Sequence, residues 1–247
     1  MKGGRLVPYL DRRWYPHFSS NWDDALLRSR ILQRISRESR ILDLGAGAGI
    51  VAAMNFRGIA GRVCGIDPDP RVAENPHLDE AIVGTGEAIP YADATFDLVF
   101  ADNVFEHLPD PQRVLREVLR VLRPGGRLLL KTPNKWHYMP VIARLTPHVF
   151  HAAYNRLRGR ATFDTFPTRY RANSPRVLRQ LAAACGFEVE SLALVEGRPE
   201  YLRISAPTYV LGWLYERAVN ASERLAALRI LLIAELRKPP GVAVGAA

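Results

Sequence analysis

Cysteine is nearly absent: Cys64 and Cys185 are the only two in 247 residues. Two thiols so far apart make neither a metal-ligand spacing nor a disulfide framework. Small stapled secreted folds are thereby excluded, and a pair of buried thiols in a reducing compartment is predicted. Long apolar runs are missing too. No stretch reaches the ~20 apolar residues of a spanning helix, and Met1-Lys2-Gly3-Gly4-Arg5 opens onto no apolar segment of the kind a secretory leader carries. A soluble, cytoplasmic chain is expected, at most peripheral at the inner face of a membrane. Internal repeats and low-complexity tracts are lacking. Acidic residues are in deficit, 25 against 34 basic ones, which leaves a net charge of +9. Such a charge suits an acidic partner without selecting one. With no RNA-binding module beside it, nucleic acid is not the expected partner.

What is present is an ordinary globular composition, 48% hydrophobic and 24% charged, in a chain long enough for one α/β domain across residues 1–247. Apolar positions Trp22, Leu26, Leu27, Ile31, Leu32 and Ile35 recur at helical spacing, so residues 1–37 are expected to form an N-terminal helical cover. Short apolar runs then alternate with helical patterns. Strands are predicted over Arg40–Leu44, Arg62–Ile66, Ala81–Val83, Thr95–Ala101 and Arg127–Lys131. A helix is predicted from the glycine turn Gly45–Gly49 through Met54, and another over Pro111–Leu122, stopped by Arg123-Pro124-Gly125-Gly126. Beyond residues 134–173, read as a basic insertion, a helix over Ser174–Cys185 precedes a strand over Phe187–Leu194. A helix over Pro207–Asn220 and a last strand over Leu228–Leu236 follow, and residues 241–247 read as a tail. The fold class is a Rossmann-like, doubly wound, mostly parallel seven-stranded sheet with helices on both faces and an insertion after strand 5.

A strand running into Gly45-Ala46-Gly47-Ala48-Gly49 brings backbone close to a ligand. The spacing is not the G-x-G-x-x-G of dinucleotide sites. Asp43, two residues before the first glycine, would repel a pyrophosphate but accept hydrogen bonds from an ammonium group. Asp67, at the end of the second strand, is placed to accept from both hydroxyls of a ribose, or alternatively to cap the turn at Pro68.

These residues lead a series of motifs: Gly65-Ile66-Asp67-Pro68, Gly86-Glu87-Ala88-Ile89-Pro90-Tyr91, Phe96-Asp97-Leu98-Val99, Glu106-His107-Leu108 and Leu122-Arg123-Pro124-Gly125-Gly126-Arg127. In order and spacing the series resembles the class I S-adenosylmethionine-dependent methyltransferases of the type 11 kind, over roughly residues 38 to 133. The resemblance implies that S-adenosylmethionine is the cofactor, bound by Asp43, Gly45, Ala46, Gly47, Asp67, Pro68, Glu87 and Ala88. It also implies that Asp102 and Asn103, in the loop after the fourth strand, face the sulfonium end.

Methyl transfer from a sulfonium is an in-line displacement, and positioning can supply ~7–11 kcal/mol of it. An oxygen acceptor gains from a base near pH 7. His107, just past the fourth strand, and His137, after the fifth, are the catalytic candidates, with His148 and His151 further along. Trp136, Tyr138, Arg169 and Arg171 are the candidate acceptor contacts. Arg144, Arg156, Arg158, Arg160, Arg169, Arg171, Arg176 and Arg179 stand against the single acid Asp164. This stretch reads as a lid for an anionic acceptor, or as a solvated arginine-rich face. The expected acceptor is a small molecule or one linked to a lipid or glycan, methylated at oxygen. Pro207–Tyr215, flanked by Arg203 and Arg217, adds an expected contact with a membrane interface. Two other functions stay open: a non-catalytic S-adenosylmethionine-binding scaffold and a nucleotide-dependent oxidoreductase.

Overall fold

The computed structural model describes residues 6–18, 21–145 and 167–241. The chain divides into two compact units. Unit 1 comprises Met1–Trp22, Pro133–Pro167 and Leu194–Leu231; unit 2 comprises Asp23–Thr132, Thr168–Ala193 and Leu232–Ala247.

Unit 2 is built on a seven-stranded sheet in the order β3-β2-β1-β4-β5-β7-β6. The strands are β1 (Arg40–Leu44), β2 (Arg62–Asp67), β3 (Glu80–Val83), β4 (Phe96–Asp102), β5 (Leu122–Pro133), β6 (Glu188–Val195) and β7 (Leu231–Arg237). The pairings from β3 through β5 are parallel. Strands buried on both faces have no polar alternation, and Ile41, Leu42, Val63, Leu98, Val99, Phe100 and Leu128–Leu130 are all fully enclosed. Each such side chain contributes about 1.5–3 kcal/mol relative to exposure. Helix α2 (Trp22–Leu32) buries Leu27 and Ile31. Helix α3 (Pro111–Val121) opens with Asp110 accepting from the Arg113 amide at 3.1 Å and buries Val114, Leu115, Val118 and Leu119. It packs against α5 (Pro175–Cys185), which ends on Gly186 at φ 89°. Both cysteines are free and buried.

The chain leaves β1 toward β2 and β3, then returns to the other side of β1 as β4. This reversal of strand order between β1 and β4 is where open α/β sheets bind ligands, outside the carboxyl ends of the strands. Register brings Asp43 beside Gly65 and Phe100, and Asp102 beside Lys131, at that edge.

Unit 1 contains α1 (Leu6–Trp14), α4 (Tyr138–Leu145) and α6 (Ala206–Asn220). Trp14 lies 4.9 Å from the Trp213 ring, the Tyr209 hydroxyl donates to Asp11 at 2.8 Å, and the Tyr15 hydroxyl donates to Glu216 at 2.8 Å. Asn134 closes the other end, its amide side chain donating to the carbonyls of Ala227 and Arg229 at 2.7 and 2.8 Å. Residues 6–18 and the start of the insertion are thus gathered with residues 194–231, while the rest of the expected N-terminal cover, from Asp23 on, belongs to unit 2.

Two sequence expectations are corrected. No α-helix follows the glycine turn; the chain makes only a 3-10 turn at Ala52–Met54. Gly45, Gly47 and Gly49 all have positive φ (80°, 50° and 73°), so a right-handed helix cannot start until they are passed, and β2 begins soon after at Arg62. Helix α3 also ends directly in β5, and Arg123–Gly126 bulges out of the pairing between Phe96–Leu122 and Leu98–Arg127.

Candidate functional site

The site of unit 2 begins with the glycine turn. The Gly45 amide donates to the Ile66 carbonyl at 2.8 Å, holding the turn against β2. A Cβ at Gly45 would meet Val104 Cγ2 at 2.4 Å, whereas one at Gly47 would meet nothing within 4 Å. Gly45 is therefore demanded by packing, and Gly47 borders open space. The turn is tied from the far side by Asn75, whose Nδ2 donates to the carbonyls of Ala46 and Gly47 at 3.0 and 3.1 Å. Asn75 was not found in the sequence; its one signal was the Asn-Pro pair that starts a turn. Asp67 takes the Gly47 amide on Oδ2 at 2.9 Å and the Asp69 amide on Oδ1 at 2.8 Å. It caps the turn at Pro68 and steadies the glycine loop, and each oxygen keeps a further lone pair.

Asp43 is buried (6% exposed), and its carboxylate accepts no hydrogen bond from the described residues. Burial first, then the charges of Asp102 and Asp67, hold its pKa well above the ordinary carboxylate range. Burial likewise raises Asp102 to about 6, against the opposing pull of Lys131, with Asp24 and Asp23 adding to the rise. Glu106 is pushed to about 7, chiefly by burial. The edge of the sheet thus concentrates acids that a cation would stabilise.

Asn103 is exposed at φ 55°, its amide donating to the Lys131 carbonyl and its side chain to Asp102 Oδ1, both at 2.9 Å. Next to it, the Thr132 hydroxyl donates to Glu106 Oε2 at 2.7 Å, and Asn173 donates to that hydroxyl at 2.6 Å. His107, about a third exposed, has Nε2 3.9 Å from Glu106 Oε1. Glu87 is half-buried and Ala88 exposed; the Glu87 carbonyl accepts from Arg113 Nε at 3.1 Å. The Arg169 amide donates to the Glu106 carbonyl at 2.6 Å while its residue stays exposed, and Arg171 donates to the Pro109 carbonyl at 2.6 Å. Arg171 thus fastens its segment to the loop after β4. Asp97, at the other end of β4, holds the Arg40 amide and Arg123.

The remaining sequence candidates fall in unit 1 or outside the described residues. Trp136 is 53% exposed beside Lys135, and Tyr138 stacks on His137 at 4.0 Å between centroids. His137 is buried, accepts from the Met139 amide on Nδ1, and has Nε2 3.6 Å from Glu196. Burial lowers its pKa to about 3, which makes it a weak proton acceptor at neutral pH. His148, His151, Arg156, Arg158, Arg160 and Asp164 lie outside the described residues.

A family model described as a methyltransferase domain matches residues 42–130. An uncharacterized methyltransferase of Mycobacterium leprae (strain Br4923) is 38% identical over 96 residues, 36% of this chain and 35% of the relative. The sarcosine/dimethylglycine N-methyltransferase of Halorhodospira halochloris is 34% identical over 115 residues, 42% of this chain and 41% of that one. The chain therefore spans about a third of the length of the mycobacterial relative it matches. Among solved structures, the [4+2]-cyclase SpnF superposes with a TM-score of 0.56 at 23% identity, over 88% of this chain and 81% of that one. At that identity the likeness establishes the fold alone.

Proposed function

We propose that residues 42–130, matched by a family model described as a methyltransferase domain, form a class I S-adenosylmethionine-dependent methyltransferase domain, and that the chain binds S-adenosylmethionine at the β1–β4 edge and methylates a small-molecule acceptor. The observation that carries this reading is Asp43: a buried carboxylate that accepts no hydrogen bond among the described residues and feels the charges of Asp102 and Asp67. A pyrophosphate would be repelled there, which counts against the dinucleotide alternative, while a ligand bearing an ammonium and a sulfonium relieves the charge. The open space at Gly47 is a cradle of the right kind. Asp43, Gly45, Ala46 and Gly47 would hold the amino-acid part, Asp67 and Pro68 the ribose, Glu87 and Ala88 the base, and Asp102 and Asn103 the sulfonium end.

When bound, the cofactor supplies a methyl group already activated for displacement. The chain's own task is to orient the acceptor, exclude water and accept a proton. His107 beside Glu106 is the group placed to take that proton.

The sequence suggested an anionic acceptor methylated at oxygen. The acid cluster favours instead an amine, which is drawn to Asp102 and Glu106 and gives its proton to His107. One relative carries the name of an N-methyltransferase, which agrees with this preference. The test is turnover with methyl-labelled S-adenosylmethionine over matched sets of small amines and hydroxy compounds. Labelled N-methyl products are expected; label only on hydroxyls would overturn the nitrogen assignment, and no product from any acceptor would favour the scaffold alternative. His107→Ala is the companion variant, and normal turnover by it would remove His107 from the role.

The pH dependence has a fixed sign. Asp102, raised to about 6, must be ionised to meet the sulfonium, so S-adenosylmethionine affinity is expected to be flat near pH 8 and to fall as pH drops through about 6. The unliganded fold moves the other way. A carboxyl whose folded pKa lies above its unfolded value binds protons on folding, so stability rises as pH falls toward 5. Calorimetry and melting across pH check both slopes.

A lipid-linked acceptor is a second reading, favoured by where apolar surface remains. Exposed large apolar side chains are few in unit 2 (Leu32, Ile50, Val83) but many in unit 1, including Leu6, Tyr9, Trp136, Ile204, Leu211 and Leu214. No helix among the described residues is long and apolar enough to cross a membrane. Salt-sensitive sedimentation with anionic vesicles would support contact at the interface; none at low salt would end this reading.

A further inference from the structure

Lys131, near the end of β5, has a side chain with no exposed surface. A buried ammonium is costly unless its donors are met. Here they are met by three carboxylates: Asp102 Oδ1 at 2.8 Å, Asp23 Oδ2 at 2.9 Å, and Asp24. Asp102 is its register partner on β4, while Asp23 and Asp24 sit in the first turn of α2. The ammonium has three N–H groups, so its donor capacity is used up. Beyond these carboxylates, Glu106 also senses the charge of Lys131, and Asp43 of β1 senses that of Asp102. One cation thus joins the β4–β5 edge to the first turn of α2.

We propose that Lys131 is a positioning residue of the cofactor site, fixing Asp102 toward the sulfonium end by clamping it to the first turn of α2. This rests on the cofactor reading above. Without the clamp Asp102 would lose this cationic neighbour and take up a proton more readily; with Asp23 and Asp24 neutralised, Lys131 would serve Asp102 alone, and the carboxylate would ionise more readily. The two changes therefore act in opposite directions, which a merely structural role does not predict.

The experiment is calorimetric titration of the full chain with S-adenosylmethionine from pH 5 to 8, with melting curves to verify folding. Lys131→Met is expected to weaken binding about tenfold or more at pH 7 and move the pH midpoint upward, with Lys131→Arg largely restoring both. The double variant Asp23→Asn/Asp24→Asn is expected to move the midpoint downward, and it carries the test alone if Lys131→Met does not fold. Folded variants that bind with the wild-type midpoint would overturn the inference and leave the cofactor reading standing. Absence of binding by the wild-type chain at every pH would overturn the cofactor reading itself, and this inference with it.

Discussion

Asp43→Asn is expected to stabilise the free protein and to cripple it as a binder. Asn keeps the shape of the side chain but cannot carry the charge that burial and the acids Asp102 and Asp67 oppose. The general cost of an unsatisfied buried polar group is about 1–3 kcal/mol, and ~1 kcal/mol moves the melting temperature of a chain this size by about 2–4 °C. A rise of several degrees is therefore expected at alkaline pH, shrinking as pH falls, because the raised pKa of the wild-type carboxyl makes its charge a cost that protonation removes. Affinity should change in the opposite sense. Truncating one member of a buried charge pair costs about 2–5 kcal/mol, so S-adenosylhomocysteine should bind at least ~30-fold more weakly. A variant both less stable and equally tight in binding would mean that Asp43 is a structural group.

The glycines should separate packing from binding. Gly45→Ala places a methyl 2.4 Å from Val104 Cγ2 at φ 80°. Left-handed strain of about 1–2 kcal/mol and overpacking of about 1–3 kcal/mol should combine in a large loss of stability. Gly47→Ala, at φ 50° with nothing within 4 Å, should incur only the strain and remain folded. Its methyl enters the space assigned to the amino-acid part of the cofactor, so affinity should fall about tenfold or more with little loss of stability. Melting temperatures and S-adenosylhomocysteine titrations of the pair check this, and unchanged binding by Gly47→Ala would contradict the cradle.

Much of unit 2 was legible because its information is local. Runs such as Ile41–Leu44 and Leu98–Ala101 are apolar without alternation, which in short segments bounded by turns means strands covered on both faces. The stop after α3 and the Gly186 cap were likewise written in residue types. The missing helix after Gly49 was a different matter: three alternate glycines at positive φ override the helical spacing that follows, and spacing alone does not report φ. Asn75 and Lys131 act through partners far away in the chain. An Asn before Pro reads as a turn, and a lone Lys after Leu128-Leu129-Leu130 reads as a strand end; only the fold reveals that one holds the glycine loop and the other three carboxylates. The gathering of residues 6–18, 133–145 and 194–231 into one unit is equally a matter of long-range contacts, such as Tyr15 with Glu216. In the site, the acids and glycines were readable because their chemistry is unusual at those positions, whereas the extent of their burial was not.

The most direct measurement is calorimetric titration of the full chain, near pH 7.5, with S-adenosylhomocysteine and in parallel with NAD. Saturable one-to-one binding of the first and none of the second is the expected result. Binding of NAD, or no binding of S-adenosylhomocysteine by a folded protein, would contradict the reading of the β1–β4 edge as a site for S-adenosylmethionine.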